Sequence, residues 1–84
     1  MMDLDTALNI ATARVLRDSR ESRGLSVADI AHKSGVPQSR IEQIEAGSTG
    51  AGAVELARLA IALKTPIPRF LDRIDAVVKE LAHG

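Results

Sequence analysis

The most constraining feature of this chain is a bend. Ser34-Gly35-Val36 separates two short segments with apolar residues at helical spacing, Ile30 and Ala31 before it, Ile41 and Ile44 after it. Glycine accepts a positive φ without a Cβ clash, so Gly35 lets two helices turn tightly enough to share one core. Ala31 is small and lets them cross closely. With Ile41 and Ile44 turned inward, the second segment presents a polar face of Gln38, Ser39, Arg40, Glu42 and Gln43.

The flanking sequence reads as three more helices, with no run of the period-two alternation that marks a strand. The first spans about Asp5 to Arg23. Leu4, Leu8, Ala11, Thr12, Val15, Leu16 and Ser19 form its buried stripe, Asp3 and Asp5 suit its positive end, and Gly24 stops it. Ile10 falls off that stripe. The second spans about Val27 to Ser34, with Ser26 as N-cap and Asp29 three residues later, close to a capping box. The third begins at Pro37 or Gln38 and ends at Ala46. The loop from Ser48 to Gly52 has two glycines and no charge, and is expected to be flexible. In the fourth helix, Ala53 to Lys64, Leu56, Leu59, Ala60 and Leu63 form one apolar face. Val54, Ala57 and Ile61 form a second, so this helix is expected to be covered on two sides. Pro66 and Pro68 end it. The fifth spans about 69–82.

With 84 residues the chain holds one small domain, 1–84. There is no Cys, which excludes a disulfide framework and thiolate chemistry, and two widely separated histidines, His32 and His83, do not make a zinc site. No apolar run has a membrane-spanning length and no secretory signal is visible, so the expected location is the cytoplasm, with no membrane partner. One aromatic residue, Phe70, provides no stacking platform for single-stranded nucleic acid. Glu42 and Glu45 are paired acids, but they lack a cleft, a nucleophile and a cofactor motif. The reading is a non-enzymatic protein without cofactor or metal.

The run from Arg20 through Gly24-Leu25-Ser26, Ile30-Ala31 and Gly35-Val36 to Ile41-Glu42-Gln43-Ile44-Glu45-Ala46-Gly47 resembles the lambdoid phage repressor and Cro family of helix-turn-helix proteins, also called the XRE family. Leu56, Leu59, Ala60 and Leu63 match its fourth helix, and the resemblance covers about residues 14–71. It implies an all-α, five-helix lambda-repressor-like DNA-binding domain whose third helix enters the major groove. Gln38, Ser39 and Gln43 match base-facing positions. A glutamine amide bonds bidentately to adenine, Arg40 beside them reaches guanine or phosphate, and Glu42 accepts from cytosine or repels phosphate. Arg20 and Glu45 match a pair that ties the first helix to the third. Arg14, Arg17, Arg23 and Lys33 are the phosphate candidates.

The departures concern affinity. Val27 stands where a polar phosphate-contacting residue is usual, Pro37 replaces a capping Ser or Thr, and the loop after Gly47 has no basic residue. Eleven Lys and Arg balance eleven Asp and Glu. Phosphate neutralisation supplies backbone affinity, so a neutral monomer is expected to bind weakly alone. About three phosphate contacts per subunit of a dimer correspond to a salt slope of roughly −5. Ile67, Phe70, Leu71, Ile74, Val77, Val78 and Leu81 line one side of the fifth helix and are assigned to a homodimer contact, the alternative being packing within the chain.

The expected function is a homodimeric repressor or autoregulator bound to a pseudo-palindromic operator in double-stranded DNA. An antitoxin, with a toxin as protein partner, and a restriction–modification controller share this pattern. The rival class is a protein-interaction module, suggested by the neutral charge, Val27 and the uncharged loop.

Overall fold

Why the chain divides where it does is visible at the helix ends. The computed structural model describes residues 2–83. Helix α1 (Leu4–Ser22) starts where the Asp3 carboxylate accepts from the Thr6 N–H at 2.7 Å. It ends at Gly24, whose N–H donates to the Glu21 carbonyl at 2.9 Å. Helix α2 (Val27–Ser34) opens on a reciprocal box: the Ser26 hydroxyl accepts from the Asp29 N–H at 3.0 Å, and Asp29 accepts from the Ser26 N–H at 2.9 Å. Each cap satisfies an N–H of the first turn that has no partner within the helix.

Gly35 then takes φ 76°, and its N–H donates to the Ala31 carbonyl. Pro37 supplies the carbonyl that begins α3 (Gln38–Glu45) and gives it no side-chain cap. Helix α4 (Ala53–Ala62) is capped by Gly52, whose N–H donates to Glu55 at 2.9 Å. It ends at Lys64, a non-glycine residue at φ 53°. For an L-residue this conformation costs about 1–2 kcal/mol. Helix α5 (Ile67–His83) begins two residues earlier than the prolines suggest, because the Pro66 carbonyl accepts from the Phe70 N–H at 3.0 Å and Pro68 tolerates the first turn. There is no strand among the described residues.

All five helices contribute to one core. Leu16, Ile30, Ile41, Ile44, Leu59, Leu63 and Phe70 are fully buried in it. Thr12 and Ser19, the polar members of the α1 stripe, are buried too, and Ser19 accepts from the Arg73 guanidinium at 2.8 Å.

Three expectations need correction. Phe70 (0% exposed) and Ile74 (5%) lie in the chain's own core, and Val77, Val78 and Leu81 pack against it, so the α5 stripe is largely internal. The reason is that α5 packs along α1 and also meets α4. Leu4 (64% exposed) and Leu8, at the N-terminal end of α1, are left outside the core. On α4, Val54 (67%) and Ile61 (65%) are open, because α2 and α5 pack on α4 from its other side.

Candidate nucleic-acid interface

The bend orients α3, and arginines clamp it at both ends. At its C-terminal end, Arg20 Nε donates to Glu45 Oε2 at 2.8 Å and Nη2 donates to Oε1 at 2.9 Å, a two-pronged fork. Its third nitrogen donates to the Leu25 carbonyl at 2.8 Å. The Glu45 hydrogen bonds, outweighing desolvation, hold the Arg20 pKa above its ordinary value. Arg17 donates to the Glu45 backbone carbonyl at 2.8 Å, where the negative end of the helix favours a cation. Arg17 remains half exposed.

Toward its start, α3 is held by Arg40. Arg40 Nε and Nη2 donate to the Glu55 carboxylate at 2.7 and 3.0 Å, and Nη2 also donates to the Gly50 carbonyl at 2.6 Å. These bonds lower the Glu55 pKa, led by the Arg40 hydrogen bond and then by the Gly52 N–H, and raise that of Arg40. Arg40, assigned to guanine or phosphate, here ties α3 to α4 and their loop. The loop is correspondingly less free than its glycines suggest. Besides Arg40, the Ser48 hydroxyl ties it to the Gln43 carbonyl at 3.2 Å.

On the helix so held, Gln38, Ser39, Glu42 and Gln43 are exposed, while Ile41, Ile44 and Glu45 face inward. Four of the five assigned base-facing residues therefore share one open strip. Its only charge is the negative Glu42.

The phosphate candidates divide. Arg14 and Arg17 line a groove beside Ala46 and Gly47 at the C-terminal end of α3, the same groove that takes Ile10. Arg14 also makes a loose, exposed ion pair with Glu80 at 3.9 Å, worth little. Arg23 and Lys33 lie elsewhere, beside Lys64 at the end of α4. Sequence reasoning missed Glu55, Arg73 and Lys64 altogether. Glu55 had a legible signal as an acid at the third position of α4, but its partner across the loop had none.

A model of the helix-turn-helix domain family matches residues 11–71, well over half of the chain. The chain belongs to that family. This helix-turn-helix domain is therefore a DNA-binding module, and the match spans the bend, both clamps and the start of α5. No curated protein sequence is significantly similar to it. Among the described residues no helix of the domain is long and apolar enough to cross a membrane, and no group of three or more His, Cys, Asp or Glu is placed to hold a metal ion.

Proposed function

We propose that the chain is a sequence-specific regulator of transcription, a homodimeric repressor or autoregulator that inserts α3 into the major groove of double-stranded DNA. One observation carries this: the strip of Gln38, Ser39, Glu42 and Gln43 is open while both ends of its helix are clamped. Rigid placement is what base reading requires, because hydrogen bonds to base edges tolerate little error in position. Gln38 and Gln43 donate and accept at adenine, Ser39 bonds to either partner, and Glu42 accepts from cytosine or excludes phosphate. Arg14 and Arg17 stand beside the far end of the strip as phosphate contacts.

In this reading a second copy covers the apolar surface the fold leaves open. Leu4, Leu8 and Leu71 line a groove of about 350 Å³ between α1 and α5. The buried Phe70 drops out of the dimer contact, while Leu71, the half-buried Val78 and the nearly buried Ile74 line the groove. Two half-sites would then lie about one helical turn, ~34 Å, apart.

Selection of bound sequences from a random DNA pool tests binding, symmetry and spacing together. A symmetric motif is the expected result. Gln38→Ala and Gln43→Ala should each weaken binding to it by about 1–3 kcal/mol while leaving random-DNA binding unchanged. Equal losses on both DNAs would sink base reading. Leu71→Glu should halve the sedimentation mass without unfolding the chain, whereas Ile74→Glu would place a charge in the core and unfold it.

A further inference from the structure

The net charge of zero conceals a strong local imbalance. Arg14, Arg17, Arg20, Arg40 and Lys79 each lie within 4 Å of a carboxylate. Among the described residues six cations have no such partner: Arg23, Lys33, Arg58, Lys64, Arg69 and Arg73. All but Arg58 converge on two adjoining clefts. One, of about 180 Å³, is lined by Arg23, Lys33 and Lys64. The other, of about 320 Å³, is lined by Arg23, Lys64, Arg69 and Arg73. Arg23 and Lys64 belong to both, and no carboxylate lines either.

Two further observations show order in this cluster. Arg73 is anchored by its bond to the buried Ser19 hydroxyl, which fixes the guanidinium at the cleft wall. Lys64 holds a left-handed backbone conformation that three glycines adopt elsewhere in the chain, so a side chain is kept where glycine would be unstrained.

We propose that this double cleft binds a run of closely spaced phosphates. Converging cations with no carboxylate among them repel one another, and an anion of matching charge density relieves that repulsion. Three guanidiniums offer paired N–H donors that fit phosphate oxygens, and two ammoniums add point charge. Such phosphates occur in a duplex backbone and in a free polyphosphate. The site lies off α3, so it is separate from base reading, and it supplies the positive charge that the α3 strip and its loop lack.

The test compares Arg23→Gln/Arg69→Gln with Arg58→Gln, which removes an unpaired cation outside the clefts. All altered side chains are exposed, so folding should persist and melting temperature checks it. Tripolyphosphate at low salt should bind the native chain and lose about tenfold or more in the double variant, but not in Arg58→Gln. On random-sequence duplex, the slope of log K against log salt should become shallower by about 2 in the double variant if the DNA backbone is the source. An unchanged slope with weakened tripolyphosphate binding assigns the cleft to a free phosphate ligand. If neither measurement separates the double variant from Arg58→Gln, the proposal fails. A polyglutamate peptide that matches tripolyphosphate in affinity, and is lost in the same variant, overturns it in favour of an acidic protein segment. Gln38→Ala/Gln43→Ala should leave the tripolyphosphate result untouched, which keeps a failure of base reading distinct from a failure of the cleft.

Discussion

Two junctions in this molecule solve the same geometric problem with opposite chemistry. Between α2 and α3 the chain turns through Gly35 at φ 76°; between α4 and α5 it turns at Lys64 with φ 53°. Beyond the first, the arginine on the new helix is tied down by Glu55, and the exposed surface is amide, hydroxyl and carboxylate. Around the second, Arg23, Lys64, Arg69 and Arg73 have no carboxylate partner among the described residues. A tight turn dictates backbone torsion only. What the flanking side chains are left to do depends on whether a carboxylate from another element reaches them.

The comparison breaks most visibly at the clamp on α3. Arg20→Ala should lower stability by about 3 kcal/mol, because Glu45 is nearly buried and would lose its main partner. Arg17, at 3.9 Å from the same carboxylate, softens the loss. Arg17→Ala should cost about 1 kcal/mol, the worth of one hydrogen bond at a helix end. Chemical denaturation measures both, and equal losses would show that the fork adds nothing to orientation.

Exchanging the junction residues gives smaller effects of opposite sign. Gly35→Ala should destabilise by about 1–2 kcal/mol. Its new Cβ would meet only the Arg58 guanidinium, at an ordinary 3.5 Å, so the cost comes from torsion and not from crowding. Lys64→Gly should stabilise by up to about 1 kcal/mol, since relief of torsion is partly offset by a looser unfolded chain. Destabilisation by Lys64→Gly would mean that its side chain contributes packing that the exposed position does not suggest.

The smallest effect is a pH dependence. The Glu55 pKa is lower in the folded chain than in the unfolded one, so its stabilisation is full above the ordinary carboxylate range. It is lost as pH falls through the depressed folded value. Thermal melts across the acid range should show a decline that Glu55→Gln flattens. An equal decline in both would assign the acid sensitivity to other carboxylates, with Asp3 and Asp29, whose pKa values are also lowered by N–H bonds, as the next to change.

Much of the site was legible in one dimension. The open strip on α3 followed from helical spacing alone, because Ile41 and Ile44 define which side faces in. The Arg20–Glu45 geometry came through the family resemblance; nothing in the spacing of two residues 25 apart announces a contact. The tie from Arg40 to α4 was not legible, because its partner Glu55 returns from another helix 15 residues on. The α5 stripe misled for a similar reason: periodicity reveals that a helix has an apolar face but not which neighbour covers it.

By itself, then, the sequence determined local matters: five helices, the cap of α2, the bend at Gly35 and the inward and outward sides of α3. These are settled within one or two turns, where torsion, hydrogen bonding and residue spacing act between near neighbours. Tertiary structure decided that α5 lies on α1, that Arg40 is a strut, and that Arg23, Lys33, Lys64, Arg69 and Arg73 gather at one end. Burial and Coulomb energy depend on distances between residues far apart in the chain, and only folding sets those distances.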